Sequence, residues 1–192
     1  MGNVKGAAVL SLAVAGAILW GCDSGGAEEA PWKAEIETPA VPLEYENGHP
    51  LTEPESDPAV LSLESELLRL VNTYRASLGL NALVDSPPIR DVARAHARHM
   101  ILHGFVGHVN PEGDGAGVRL TAGGVPWELA GENLAAGYAT PQEVFDAWMA
   151  SPGHREVLES PEWTHAGAGY ACDPDPAPGL PFVHFWTMNF VK

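Results

Sequence analysis

Cysteine is scarce in this chain, with two in 192 residues. A domain of this size cannot be a disulfide framework built on one pair, so a hydrophobic core must hold it. Basic residues are scarce too. Ten Lys and Arg stand against 25 Asp and Glu, for a formal net charge of -15. Nucleic-acid binding needs clustered Lys and Arg to meet phosphates, and no such cluster is present, which excludes a nucleic-acid partner. The same charge is repelled by an anionic membrane surface. Long apolar runs are missing as well. The longest, residues 6–20, falls short of the roughly 20 residues a membrane-spanning helix requires.

That short apolar run follows Lys5 and ends in Leu19-Trp20-Gly21-Cys22. A basic start, an apolar centre and a small residue before the cut have the form of a signal peptide. The four closing residues resemble the lipobox of bacterial lipoproteins. The expectation is a signal peptide over 1–21, cleavage before Cys22, and lipid on Cys22 as the membrane anchor. Cys172 is then left unpaired. Residues 22–58 read as a flexible tether. From 23 to 58 there are ten acidic side chains, six prolines and a single basic residue, Lys33. Such a segment buries too little apolar surface to offset its chain entropy, and its charge and prolines extend it.

The pattern changes at residue 59, where the folded domain, 59–192, is expected to begin. Leu63, Leu67, Leu70, Val71, Tyr74 and Leu78 recur at helical spacing, with Ser62 as a candidate N-cap and Gly79 as a stop. Tyr74 and Arg75 read as core and boundary positions. A second helix is expected between Ser86-Pro87 and Gly104. Its inner stripe is Ile89, Val92, Ala93, His96, Ala97 and Met100, and Arg90, Arg94 and Arg98 line an outer face. Thr140-Pro141-Gln142-Glu143 has the form of a capping box. Two strand-like runs, 164–171 and 182–191, flank a proline-rich loop and predict an antiparallel hairpin. Helices first and strands late imply an α+β domain with helices packed on a small antiparallel sheet.

Five segments in order then resemble one family. They are residues 67–80 (LLRLVNTYRASLGL), 93–108 (ARAHARHMILHGFVGH), 131–137 (GENLAAG), 147–170 (AWMASPGHREVLESPEWTHAGAGY) and 185–190 (FWTMNF). Together they are similar to the CAP superfamily, the SCP-like domain of sperm-coating and pathogenesis-related proteins, in its bacterial branch. The resemblance covers about residues 62–192. It implies a three-layer α–β–α sandwich with a central cleft that receives two His and two Glu. In some members the His pair binds a divalent metal. On this chain the matching positions are His108, Glu132 and His154. The second carboxylate of eukaryotic members falls near Ser151 and is missing here.

Two neutral imidazoles and one carboxylate with an open position suit Zn²⁺ or a similar divalent ion. His154 lies in the first turn of a helix, where the dipole disfavours imidazolium and so favours a neutral ligand. The same trio can instead form a polar cluster that orders the cleft. His96, His99 and His103 sit at i, i+3 and i+7, a spacing able to bind metal, but the expected outcome is one core His and two on the surface. His165 and His184 are expected to pack or face solvent. Trp127, Trp148, Trp163 and Trp186 read as core aromatics. Residues 113–117 (GDGAG) read as a mobile loop beside the cleft, not a phosphate loop, with Asp114 in a solvated turn. No nucleophile triad can be assembled. Ser151 is expected to spend its hydroxyl as a helix cap, and no base is expected near Cys172. The HExxH signature of zinc proteases is absent.

The reading is an exported, envelope-anchored protein, a non-enzymatic binding module whose cleft holds a small apolar or amphiphilic ligand or a divalent cation. The alternatives are a metal-dependent hydrolase of the envelope, with Glu132 as base, and a structural or adhesive surface protein.

Overall fold

The computed structural model describes residues 58–173 and 180–192. The expected signal peptide, Cys22 and the tether lie outside the described residues, apart from Pro58. The elements run α1 (Pro58–Ser77), β1 (Val84–Asp85), α2 (Pro87–His103), α3 (Ala116–Ala122), β2 (Ala130–Ala136), α4 (Pro141–Ala150), α5 (Pro152–Glu159), β3 (His165–Cys172) and β4 (His184–Val191). The four strands form one sheet in the order β1-β3-β4-β2. The predicted hairpin is present, β3 and β4 pairing antiparallel from His165↔Val191 to Cys172↔His184. β2 adds antiparallel to the far side of β4, and β1 pairs parallel with β3.

Helices cover both faces, which gives the expected α–β–α layering. On one face, α1, α4 and α5 pack Leu67, Val71, Val144, Trp148 and Leu158 onto Ala168, Trp186, Met188 and Phe190. On the other, α2 and α3 set Ile89, Ala97, Met100 and Leu120 against Leu134, Phe185 and Val191. The approach of α2 to β3 is close because Gly167 and Gly169 have no side chains. A Cβ on either would run into the backbone of Arg90 or Arg94.

Local signals behave as their chemistry requires at several ends. α2 starts on Pro87 after Ser86 and closes on Gly104 in the left-handed conformation, φ 67°. At α4, Thr140 and Glu143 exchange both bonds of a capping box. Other expectations are corrected. α1 begins at Pro58, so Ser62 is inside the helix and caps nothing. Arg94 is not on an outer face. It is 4% exposed and forms a two-pronged ion pair with buried Glu64, Nε to Oε1 at 2.6 Å. Glu64 also accepts from the Tyr170 N–H on the edge of β3, 3.0 Å away. Arg75 is fully buried and donates to the carbonyls of Asn81, Leu158 and Ser160, while Tyr74 is only half-buried. Trp127 is 40% exposed and lies over Gly117 instead of in the core.

Candidate functional site

The site is built where three segments meet β2, an edge strand of the sheet. β2 places Glu132 on the face covered by α2, opposite Asn189 of β4. After Gly104 the chain folds back along α2, with Phe105 edge-on to the rings of His96 and His99, and arrives at His108. His96 anchors this return by a 2.9 Å bond between its Nε2 and the Gly107 carbonyl. A carbonyl only accepts, so Nε2 carries the proton. Burial pushes the His96 pKa down to about 4, which keeps the ring neutral.

His108 Nδ1 lies 2.9 Å from Glu132 Oε1. The other carboxylate oxygen, Oε2, accepts from Arg119 of α3 at 2.6 Å. Burial alone would raise the Glu132 carboxyl. The bond from His108 and the charge of Arg119 outweigh it and hold the group below the usual carboxylate range. An ionised carboxylate only accepts, so His108 Nδ1 is the donor, and in the neutral ring it is Nε2 that carries the lone pair. The His108 side chain is 40% exposed, against 3% for Glu132. The arrangement is a buried carboxylate fixed by an arginine and orienting a half-exposed imidazole.

Arg119 does more than neutralise. Its Nη1 donates to the carbonyls of His108, at 2.9 Å, and Asp114, at 2.7 Å. Residues 110–114 form a closed turn in which the Asp114 N–H bonds Asn110 Oδ1 at 2.6 Å and the Asn110 N–H bonds the Asp114 carbonyl. The segment read as a mobile loop is therefore a hydrogen-bonded turn followed by a helix. Nothing in its glycine-rich sequence announces Arg119 as the clamp of this region.

His154 enters from α5 on the other side of β2. Its carbonyl accepts from Asn133 Nδ2 at 3.0 Å, which ties the first turn of α5 to the strand next to Glu132. Ser151 stands at the N-cap, but its hydroxyl makes no capping bond. Burial, and then the charge of His108, lower the His154 pKa, so the two rings are electrostatic neighbours. His154 Nδ1 is buried and has no partner among the described residues. Glu132 does not join the two imidazoles in a compact ligand set. Among the described residues, the one group of three with ligand atoms all within 4.8 Å of one another is His99, His103 and Glu112. Burial, then the charge of His103, lower the His99 pKa. His165 is exposed, and His184 stacks on Tyr170. Cys172 is exposed and forms no disulfide among the described residues.

Comparison with known proteins agrees with this architecture. The family model described as CAP, Cysteine-rich secretory protein family, matches residues 68–190. An uncharacterized protein of Bacillus subtilis, YkwD, is 33% identical over 133 residues, covering 69% of this chain and 48% of that protein. The uncharacterized membrane protein YlbC of the same organism is 30% identical over 129 residues, 67% of this chain and 34% of its own length. This chain thus spans about half or less of these relatives. Among solved structures, an extracellular SCP-domain protein of Bacillus anthracis superposes with a TM-score of 0.62 at 28% identity, over 75% of this chain and 45% of that one. An outer surface protein of Borrelia burgdorferi shares the fold, with a TM-score of 0.60 at 23% identity, over 67% of this chain and 90% of that one. Among the described residues no helix is long and apolar enough to cross a membrane. By the family match, the two relatives and the shared sandwich, this chain belongs to the CAP family of cysteine-rich secretory proteins, although it is itself poor in cysteine.

Proposed function

We propose that the protein is an exported CAP module of the cell envelope that acts by binding, and that His108 and His154 hold a divalent cation of the zinc class. The observation that carries this reading is the 2.9 Å bond from His108 Nδ1 to Glu132. Metal-binding histidines characteristically donate their second ring N–H to a carboxylate, which fixes the tautomer and aims the free nitrogen. Glu132 would be that supporting carboxylate and not itself a ligand, because both of its oxygens are already engaged. His154, its pKa lowered by burial, offers a second neutral imidazole and has an unpartnered Nδ1. Imidazole donors suit Zn²⁺ and its neighbours, and such an ion would supply a Lewis-acidic centre with open positions.

Binding is favoured over hydrolysis by the state of Glu132. A carboxylate held below its usual pKa, with both oxygens occupied, is a poor general base. A cation is favoured over an apolar ligand because the partly exposed His108 ring is held by the ionised carboxylate of Glu132. Export is supported by the signal-peptide form of residues 1–21 and by the extracellular and outer-surface relatives. Cys22 would carry the lipid anchor. The test is a calorimetric titration of Zn²⁺ into the full chain and into His108→Ala and His154→Ala, each checked for folding by circular dichroism. Saturable binding weakened at least about tenfold by each substitution supports the reading. Equal binding in all three refutes it.

A further inference from the structure

We propose a second divalent-metal site, sharing no ligand with the His108–His154 pair, formed at the C-terminal end of α2 by His99, His103 and Glu112 and suited to Zn²⁺, Ni²⁺ or Cu²⁺.

His99 and His103 are four residues apart on α2, so their side chains stack one above the other on a single helix face. Their ring centroids are 4.2 Å apart at an interplanar angle of 83°. Phe105 packs edge-on against His99 at 5.8 Å and limits its rotation. The third donor comes from the return segment. Glu112 occupies the tip of the Asn110–Asp114 turn, and Gly113, with φ 96°, supplies the left-handed residue that closes it. Arg119 pins that turn through the Asp114 carbonyl. Glu112 is therefore held over the helix by backbone bonds instead of reaching there on a free loop.

His99 Nε2 lies 3.5 Å from Glu112 Oε2. That is long for an N–H···O bond. It is close to the edge of a tetrahedron with bonds of 2.0–2.1 Å, about 3.3 Å. All three ligand atoms lie within 4.8 Å of one another, so small rotamer shifts complete the set. The groups are reachable from solvent, His99 being 18% and Glu112 51% exposed at the side chain. The position favours a cation twice over. The site lies on the last turn of a helix, where the backbone dipole presents its negative end, and the chain carries a formal charge of -15. Two imidazoles and one carboxylate select borderline transition ions over Ca²⁺ or Mg²⁺, which take oxygen ligands. A fourth position remains for water or for a donor from a bound partner.

The experiment titrates Zn²⁺ into the full chain and into His103→Gln, Glu112→Gln and the double variant His108→Ala/His154→Ala. His103 and Glu112 are exposed, so their substitutions leave the core intact. The double variant is expected to keep one saturable zinc site. His103→Gln and Glu112→Gln are each expected to weaken one binding event by about tenfold or more. A second measurement on the unmodified chain does not depend on any variant folding. Substoichiometric Cu²⁺ should broaden the NMR signals of residues around His99 and His103. Zinc binding unchanged by both His103→Gln and Glu112→Gln, or copper broadening confined to the surroundings of His108 and His154, overturns the proposal. Failure of the cleft site alone would appear differently, as zinc binding insensitive to His108→Ala and His154→Ala yet lost with His103→Gln.

Discussion

Arg94→Met tests how the two helical layers are joined. Arg94 and Glu64 are 4% and 2% exposed and bridge α2 to α1 beside the edge of β3. Burial raises the Glu64 carboxyl above its ordinary value, although Arg94 and the Tyr170 N–H both pull it down. Desolvation is thus the largest single effect on this group. Removing Arg94 leaves a buried carboxylate with one backbone N–H, a change that costs about 3–5 kcal/mol. For a domain of about 130 residues, that lowers Tm by roughly 10–20 °C. The deficit should shrink at acid pH, where Glu64 becomes neutral. The double variant Glu64→Leu/Arg94→Met removes both charges and should recover most of the loss, because apolar replacement of a buried pair is often neutral or better. Thermal and urea melts of the parent and the two variants at pH 5 and pH 8 measure this. A single variant costing less than about 1 kcal/mol, or a double variant as unstable as the single, would refute the reasoning.

Two further outcomes follow from the packing. His96 has a folded pKa of about 4, below its ordinary 6.5, so the unfolded chain binds the proton more strongly. Stability should fall by about 3 kcal/mol as the pH drops from 6.5 to 4, and urea melts of His96→Gln across that range should show a flatter profile. At Gly169 a Cβ meets the backbone of α2, so Gly169→Ala should destabilise by about 1–3 kcal/mol or more, whereas Gly153→Ala, where a Cβ meets nothing within 4 Å, should be nearly neutral in the same melts.

The elements that were legible in the sequence are those whose signals are local. The Pro87 start and Gly104 stop of α2, the Thr140–Glu143 box and the alternation of β4 can all be read within a few residues. β2 was not read as a strand because its last five residues are all buried, covered on both faces, so AGENLAA shows no alternation of apolar and polar. α3 has seven residues and two flanking glycines, too little for periodicity, and Arg119 ties it to distant carbonyls. Arg94 looked like a surface cation because its partner, Glu64, is 30 residues away. Motif order pointed to His108, Glu132 and His154, but not to Arg119, which occupies the second oxygen of Glu132. That one contact changes the reading of Glu132 from metal ligand to supporting carboxylate.

The central claim is that His108 and His154 share one ion while Glu132 stays outside its ligand shell. Zinc K-edge X-ray absorption of the full chain carrying His103→Gln, loaded with one equivalent of Zn²⁺, tests it most directly, since that substitution removes the competing site on α2. Two imidazoles at about 2.0 Å, reduced to one in either His108→Ala or His154→Ala and unchanged in number in Glu132→Gln, are the predicted result. A spectrum with no imidazole scattering, or one that keeps its imidazoles after both histidines of the cleft are replaced, would contradict the account.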